Sequence, residues 1–202
     1  MTDRIALIDY GAGNLHSVWN ALKAAGADNI DVTTDPSAVC SADRIVLPGV
    51  GAFAAAMRAL SAIPGMIEAL DETVQVRGRP FLGVCVGMQL MAEAGEEHGT
   101  TPGLGWCRGT VRAIEPRADL KVPHMGWNDV RPTVAHPLIA AGEAYFLHSF
   151  AYEGADVIAE TDHGGPVVAA IGRDNMAGVQ FHPEKSQRYG LALLARFLEW
   201  RP

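Results

Sequence analysis

Three features are scarce in this sequence: cysteine, clustered positive charge and long apolar runs. The 202 residues include only three cysteines, Cys40, Cys85 and Cys107, an odd number without the spacing of a zinc site. We therefore expect a reducing cytoplasm rather than a disulfide framework, and no metal. No block of Lys and Arg occurs and the formal net charge is -7, which argues against a nucleic-acid partner.

Targeting signals are also lacking. No apolar run approaches the roughly 18 residues that a membrane span needs, so no membrane association is expected. The apolar stretch before Asp9 is too short for a signal peptide. Apolar residues make up 49% of the chain and charged residues 19%, a balance typical of a globular protein. Without a linker, repeat or low-complexity tract, residues 1–202 are predicted to form one domain with a sizeable core.

Residues 79–91 are the most informative segment of the sequence. The apolar run 81–84 predicts a buried parallel strand, and a helix is predicted to follow it. Between them stands Cys85, with Gly83 and Gly87 two residues away on either side. Glycines there permit the sharp strand-to-helix bend that exposes a nucleophile, and a thiol at a helix start ionises more readily. Cys85 is thus a candidate nucleophile, although the same apolar surroundings also suit a core cysteine.

Short apolar runs alternate with helical patterns along the first half of the chain, which predicts an α/β fold with a doubly wound, mostly parallel sheet. Shorter strands in the second half predict an antiparallel extension. The predicted strands are 5–8, 30–33, 44–47, 81–84, 106–114, 128–131, 144–150, 156–161, 166–171 and 177–181. The predicted helices run from Leu15 to a stop at Gly26, over 54–62 and 66–76, after Cys85, and along the amphipathic C-terminal segment. Residues 93–105, marked by Gly and Pro, predict a loop.

Two glycine-containing loops follow predicted strands. Residues 9–14 read Asp-Tyr-Gly-Ala-Gly-Asn, but the further glycine of a dinucleotide-binding loop is missing, so a tight turn at the sheet edge is favoured. Residues 48–51 read Pro-Gly-Val-Gly and follow the third strand. Their backbone N–H groups could face an anion or a carbonyl oxygen, or the loop could be an ordinary strand-to-helix turn.

A histidine and a carboxylate follow the last predicted strand. His182 comes directly after the apolar run 177–181, and Pro183 ends the strand there. Glu184 lies two residues on, where its carboxylate can orient the imidazole. Cys85, His182 and Glu184 would then act as nucleophile, base and orienting group, a triad recognised by role. A histidine at a strand end is more often structural when taken alone, and the cysteine loop is what favours catalysis.

The remaining histidines give weaker indications. Three are predicted to be solvated: His16, His98 and His163. His136 lies in a loop, and His148 ends a strand where it could line the pocket. His124 belongs to a dense cluster at 123–128, Pro-His-Met-Gly-Trp-Asn, which is either a partner surface or a packed aromatic corner.

These motifs together carry a family resemblance. Residues 83–89 and 181–184 resemble the class I (triad) glutamine amidotransferases. Segments 9–14, 48–51 and 123–128 narrow the resemblance to the glutaminase subunits of imidazole glycerol phosphate synthase, an enzyme of histidine biosynthesis. The likeness spans the chain from the first strand to the last helix. It implies a flavodoxin-like class I fold and one glutamine amidotransferase domain over residues 1–202.

The resemblance also implies a reaction, a partner and site residues. Such subunits hydrolyse L-glutamine to L-glutamate and ammonia without a cofactor. The ammonia passes to a (β/α)8-barrel cyclase subunit, which forms imidazole glycerol phosphate and an aminoimidazole carboxamide ribotide. By motif match Cys85 attacks the amide, His182 transfers the proton and Glu184 orients His182. The other matches are oxyanion-hole residues Val50, Gly51 and Val86, substrate-binding residues Gly49, Gln89, Ser149 and Phe150, and interface residues Asn14, Trp127, Tyr145 and Lys185.

Two positions depart from the family pattern. Family members often have Leu after the cysteine and Tyr after His-Ser, where this chain has Val86 and Phe150. A backbone donor tolerates the first change, whereas the second removes a hydroxyl group.

Two alternatives stay open: another hydrolase on the same scaffold, and a catalytically dead binding subunit that uses the Trp127 surface. Ammonia released into water becomes ammonium, which is not a nucleophile. The glutaminase interpretation therefore predicts weak activity alone and strong stimulation by the liganded barrel.

Overall fold

The computed structural model describes residues 3–116 and 120–202. Among these residues, strands lie at β1 Arg4–Ile8, β2 Asn29–Thr33, β3 Arg44–Gly49, β4 Phe81–Cys85, β5 Ala92–Glu96, β6 Thr100–Pro102, β7 Cys107–Ala113, β8 His124–Pro132, β9 Gly142–His148, β10 Phe150–Gly154, β11 Val157–Asp162, β12 Pro166–Arg173 and β13 Met176–Val179. The α-helices are α1 Leu15–Ala24, α2 Pro36–Cys40, α3 Phe53–Ser61, α4 Met66–Leu70, α5 Val86–Gln89 and α6 Gln187–Glu199. A π-helical segment, Asp71–Val76, continues α4, and a 3-10 turn, Pro183–Lys185, precedes α6.

The larger sheet has nine strands in the order β2-β1-β3-β4-β13-β12-β11-β8-β9. Its first five strands pair in parallel, with β1 between β2 and β3, and β4 between β3 and β13. The pairs β13–β12, β12–β11, β11–β8 and β8–β9 are antiparallel. Helix α1 packs against α6, and α2 against α4. The predicted parallel sheet with an antiparallel extension is confirmed.

A second sheet was not predicted from the sequence. It has four strands in the order β10-β7-β5-β6, and β5 and β6 lie within residues 92–102, most of which the sequence predicted to be a loop. That prediction is wrong because glycine was taken as a breaker. A side chain at Gly95 would meet the ring of Phe53 at 2.5 Å, so glycine is required inside this strand by close packing.

Further assignments differ from the sequence prediction, including strand β8, which begins at His124 rather than at 128. The helix predicted over 66–76 changes to π-helical bonding at Asp71, and the N–H of Arg77 bonds to the carbonyl of Glu72, five residues back. The strand predicted over 144–150 is interrupted at Ser149, where the chain leaves β9 and enters β10 of the other sheet. Helix α2 was missed, although Asp35 caps it and proline occupies its first turn.

The core lies between the helices and the larger sheet. All five residues of β4 and all six of β3 are buried, as expected for central parallel strands. Among the described residues, no single helix is long and apolar enough to cross a bilayer. Two consecutive helical segments, Phe53–Ser61 and Met66–Val76, reach that length and composition only when they are counted together, and the chain bends by 94° between them.

Candidate active site

The carboxyl ends of four parallel strands bring the predicted site residues together. Gly49 and Cys85 are the last residues of β3 and β4, and His182 follows β13; Tyr10, which was not predicted as a site residue, follows β1. Because these strands are parallel neighbours, their carboxyl ends meet at one edge of the sheet. In the β3–β4 register, Gly49 is the direct partner of Cys85.

Cys85 lies at a strained bend between β4 and α5. Its φ of 54° is in the left-handed region, which a residue with a side chain adopts only where the surroundings hold it. The flanking glycines are required by close packing: a side chain at Gly83 would meet the Gly87 carbonyl oxygen at 2.6 Å, and one at Gly87 would overlap the Leu47 carbonyl. This geometry agrees with the sharp bend predicted from the two glycines.

Two details of the cysteine differ from the sequence prediction. Cys85 is only 4% exposed, so the prediction of an exposed thiol is wrong, and the residue is reached through the pocket that it lines. Helix α5 is a single turn of four residues, so the helix dipole that was expected to favour the thiolate is short.

His182 is held between Cys85 and Glu184. Its Nδ1 donates to Oε1 of Glu184 at 2.8 Å, and the residue lines the same pocket as Cys85. Burial alone would lower the pKa of His182, but the hydrogen bonds and negative charges of Cys85 and Glu184 outweigh burial and raise it to about 9. The imidazole is consequently protonated at neutral pH and can give up a proton. The structure thus brings together all three residues of the predicted triad.

Backbone contacts fix the position of His182. Its N–H donates to the carbonyl of Tyr145 on β9 at 2.9 Å. The hydroxyl of Ser186 donates to the His182 carbonyl at 2.7 Å, and it accepts from the N–H of Tyr145 at 2.9 Å. The base is therefore attached to the antiparallel extension as well as to the parallel sheet.

A pocket of about 150 Å³ opens above the sulfur. The three predicted oxyanion-hole residues line it: Val50, Gly51 and Val86. The hydroxyl of Tyr10, in the loop after β1, donates to the carbonyl of Pro48 at 2.9 Å and so fixes the start of the 48–51 loop. Burial raises the pKa of Tyr10 far above its usual range, and the charge of Cys85 acts in the same direction, so the hydroxyl keeps its proton.

The residues predicted to bind substrate surround the same pocket. Gln89, Ser149 and Phe150 line it, and Gly49 lies beneath it in register with Cys85. The Gln89 amide donates to the Phe150 carbonyl at 3.0 Å and to Oε1 of Gln180 at 3.0 Å. Both Gln89 amide protons are therefore used within the protein, which leaves its oxygen as the polar group available to a ligand.

Three of the four predicted interface residues form one surface, which we call the Trp127 patch. Trp127 is 48% exposed and lies 6.3 Å, ring to ring, from its cross-strand partner Tyr145. The ammonium group of Lys185 lies 5.8 Å from the Tyr145 ring. The fourth, Asn14, precedes α1, where its side chain accepts from the N–H of Ser17 and caps the helix.

Strands β8 and β9 also carry a buried histidine pair, of which His148 lines the pocket. His148, at the end of β9, donates from Nδ1 to the Phe150 carbonyl at 2.9 Å, and its Nε2 lies 2.9 Å from Nδ1 of His124. Burial lowers the pKa of His124 to about 3 and that of His148 to about 4. His163 stacks on His124 with ring centroids 4.1 Å apart, so the prediction that it is solvated is wrong. His16 and His98 are exposed.

Two residues at the site were not predicted from the sequence. Gln180 is buried and its amide lies 3.7 Å from the Cys85 sulfur. Glu97 lines the pocket and accepts from the N–H of Phe53 at 2.7 Å. The position of Gln180, two residues before His182, is only a weak indication of a role at the site. Glu97 lies in the segment predicted to be a loop, and nothing in the sequence indicated that it would reach the site. Across residues 3–116 and 120–202, no group of three or more His, Cys, Asp or Glu is arranged to hold a metal ion.

The sequence matches the glutamine amidotransferase class-I family over residues 6–200. The HisH subunit of imidazole glycerol phosphate synthase from Zymomonas mobilis is 60% identical, with 98% of this chain and 96% of that protein covered. The HisH subunit from Brucella suis is 54% identical, with 98% of this chain and 100% of that protein covered.

Solved structures with low sequence identity share the fold. A crystal structure described as glutamine amidotransferase has a TM-score of 0.74 at 17% identity, with 96% of this chain and 97% of that chain covered. The glutaminase domain of CTPS from Trypanosoma brucei has a TM-score of 0.65 at 18% identity, with 100% of this chain and 96% of that chain covered.

Proposed function

The chain belongs to the class-I glutamine amidotransferase family, and from that premise we propose that it is the glutaminase subunit of an imidazole glycerol phosphate synthase in histidine biosynthesis. It is an enzyme that hydrolyses L-glutamine to L-glutamate and ammonia. One observation carries the assignment of its active site: Cys85, His182 and Glu184 meet at a pocket on the carboxyl edge of the parallel sheet.

The first half of the reaction forms a thioester. The Cys85 thiolate attacks the side-chain amide carbon of glutamine, and the carbonyl electron pair moves onto oxygen. His182 then donates its proton to the amide nitrogen, the C–N bond breaks and ammonia leaves. The raised pKa of His182, about 9, keeps this proton available at neutral pH. Glu184 holds the ring by its Nδ1–H, so Nε2 is the nitrogen that faces the reaction.

The second half regenerates the enzyme. His182, now neutral, removes a proton from water as the oxygen attacks the thioester carbon. The C–S bond breaks, glutamate leaves and Cys85 returns to the thiolate. Backbone N–H groups of Val86 and of the Val50–Gly51 loop are proposed to stabilise the oxyanion in both halves, because these residues line the pocket beside the sulfur.

Charge complementarity supports a free amino acid as substrate. Glu97 places a carboxylate at the pocket, and the Gln89 oxygen is the group left open by its other bonds. Both can accept from an α-ammonium group. Gly49, Ser149 and Phe150 offer backbone contacts to the rest of the substrate. Since such contacts come from backbone, Phe150 in place of tyrosine retains them and loses only a hydroxyl.

A cyclase barrel is the proposed partner, docking on the Trp127 patch and near Asn14. Trp127 and Met125 are 48% and 61% exposed, which is unusual for large apolar side chains and typical of a docking surface. A barrel seated there would cover the carboxyl edge of the sheet and receive ammonia before it meets bulk water. We also propose that residues 1–202 act as one domain in the cytoplasm, where the three free cysteines stay reduced.

The alternatives are less well supported. A dead binding subunit would not need the triad geometry, in which a strained cysteine, a protonated histidine and a carboxylate are held together. Another hydrolase on this scaffold would share the pocket, and the relatives at 60% and 54% identity favour the synthase subunit.

Replacement of the nucleophile tests the assignment. We expect Cys85→Ala, assayed with the cyclase subunit, to abolish imidazole glycerol phosphate formation from glutamine and to leave formation from added ammonium salt intact. A Cys40→Ala variant is the matched control and should retain both activities, because Cys40 lies at the end of α2. Loss of the ammonium-driven reaction in Cys85→Ala would contradict the proposed division of labour.

A further inference from the structure

We propose that Gln180 is a further catalytic residue: its side-chain amide donates a hydrogen bond to the Cys85 thiolate, and the Phe150 carbonyl fixes its orientation through Gln89. The inference rests on the proposed function, because it assigns a role relative to the proposed nucleophile. It adds a fourth side chain to the three of the triad.

The position of Gln180 places its amide beside the reacting atom. Gln180 directly follows β13, the strand that pairs with β4, and it is completely buried. Its Nε2 lies 3.7 Å from the sulfur of Cys85. Its Oε1 lies 3.0 Å from Nε2 of Gln89. The effect of this amide on the sulfur depends on which of its two ends, the NH₂ group or the oxygen, faces Cys85.

One carbonyl sets that orientation. The Phe150 carbonyl can only accept, so the Gln89 atom 3.0 Å from it must be the NH₂ group. The same nitrogen meets Gln180, so the Gln180 atom there must be oxygen. The Gln180 NH₂ group is therefore the end that faces Cys85. His148 also donates to the Phe150 carbonyl, at 2.9 Å, which holds this acceptor in place from a second side.

The direction of the Gln180 bond determines its chemical effect. A donor stabilises a thiolate more than a thiol, because the negative charge is the better acceptor. The carbonyl of Leu147, 4.0 Å from the sulfur, has the opposite preference, since it can accept only from the protonated thiol. Cys85 is buried, so few water molecules can take over the role of the donor. Gln180 thus favours the charged form against burial and against Leu147.

Other titratable groups have to be held constant in any test. Glu97, His148, His182 and Lys185 line the pocket, Glu184 bonds to His182, and Tyr10 interacts electrostatically with Cys85. The neutral substitution Gln180→Met changes none of these residues, so a shift of the Cys85 alkylation profile in that variant reports loss of the amide donor.

The test is the pH dependence of Cys85 alkylation by iodoacetamide in the full chain. Cys40→Ala removes the half-buried thiol, and Cys107 reacts little because burial raises its pKa to about 12. In this background Gln180→Met removes the donor at similar volume. We expect the inflection of the rate profile to rise by about one pH unit, which is about a tenfold loss of thiolate below the inflection. Gln180→Glu, which keeps an acceptor for Gln89, should shift it further because its carboxylate opposes the thiolate.

Gln75→Met is the matched control. The Gln75 amide contacts a sulfur elsewhere, the Met176 thioether at 2.8 Å, so the same substitution removes an amide–sulfur contact that does not involve the pocket. Its alkylation profile should match that of the parent protein. Because Gln180→Glu preserves the volume and the bond to Gln89, it serves as the second variant if Gln180→Met does not fold.

The outcomes separate the two levels of the proposal. If the parent protein is not alkylated at Cys85, the proposed function fails and the role of Gln180 fails with it. If the parent is alkylated and the folded Gln180 variants keep its inflection, only the Gln180 inference is overturned. A shift confined to the Gln180 variants supports it.

Discussion

The proton on His182 is stabilised by Cys85 and by one oxygen atom of Glu184. The 2.8 Å bond from Nδ1 and the carboxylate charge both favour the imidazolium, and they act together with Cys85 against the effect of burial. A neutral side chain of the same shape at position 184 would retain a hydrogen-bonding group and lose the charge.

For Glu184→Gln we therefore expect the pKa of His182 to fall from about 9 toward its ordinary value. The alkaline limb of kcat/KM for glutamine, measured with the cyclase subunit present between about pH 6 and 10, should move down by about one pH unit or more. The rate at about pH 8 should fall by up to about tenfold, because the lower pKa leaves less of the imidazole protonated. Glu72→Gln, which breaks only the surface ion pair with Arg77, should leave the limb in place. An unchanged limb in Glu184→Gln would show that Glu184 does not set the pKa.

Individual site residues could be predicted from the sequence where they belong to a short local motif. Gly83, Cys85 and Gly87 indicate a bend within five residues, and His182 precedes a proline that ends a strand. Gln180 was not predictable, because its function depends on a side-chain amide oriented through Gln89 by a carbonyl on a different sheet. The burial of Cys85 was also missed, since a sequence does not show the depth of a pocket.

At the scale of elements, strands β8 and β9 bury two uncharged histidines opposite each other. His124 and His148 are direct partners in the strand register, and Asn128 donates to Nε2 of His124 at 3.0 Å. Because the Phe150 carbonyl accepts from His148, each ring has one donor and one acceptor nitrogen in a fixed direction. Protonation of either ring would set two donors against each other.

This pair predicts a loss of stability in mild acid. Unfolded histidines titrate near 6.5, whereas the folded pKa values are about 3 for His124 and about 4 for His148, so the unfolded chain binds more protons as the pH falls below 6.5. His182 has the opposite sign: its contribution is complete below pH 6.5 and is lost as the pH rises toward 9. The net change from about pH 7 to pH 5 should be a loss of about 3 kcal/mol in the free energy of unfolding, measured by urea titration.

A non-titrating variant checks the source of that loss. His124→Gln keeps a donor for His148 and removes one of the two rings, so the difference between about pH 7 and pH 5 should shrink by roughly half. The same difference in the variant and the parent would assign the acid sensitivity to other groups.

The elements themselves were predictable where apolar runs were long and their flanks were marked. The central strands β3 and β4 lie where the sequence placed them, because complete burial requires an uninterrupted apolar run. Short elements and changes within an element were not predictable. Strands β5 and β6 contain glycine and proline, with the glycine required by close packing, and residues 71–76 continue a helical pattern whose change to π-helical bonding leaves no mark in apolar spacing.

On the scale of the whole molecule, the catalytic edge and the Trp127 patch adjoin each other. Tyr145 belongs to the patch, and its carbonyl accepts from the N–H of His182. A partner that presses on the patch therefore contacts the strand that holds the base. This arrangement gives a physical route for the stimulation that the glutaminase interpretation predicts.

Removal of one aromatic ring tests the docking surface. We expect Trp127→Ala to weaken binding of the cyclase subunit by about 30-fold in titration calorimetry, because a central exposed tryptophan is worth about 2 kcal/mol or more at an interface. The matched control is Val76→Ala. Val76 is 72% exposed but precedes β4, so it lies toward the amino end of the strand, away from the site. Equal losses of binding affinity in both variants would show that the Trp127 patch is not the interface.

The interruption at Ser149 has a further consequence for how the two sheets behave. The chain passes there from the larger sheet into the smaller one, and the residues on both sides of Ser149 line the pocket. A molecule bound in the pocket contacts residues of both sheets at once. It therefore links the two sheets at the point where the chain crosses from β9 to β10. Ligand binding in the pocket should therefore reduce the motion of the two sheets relative to each other. An inhibitor that fits the pocket would also restrain sheet movements far from the sulfur.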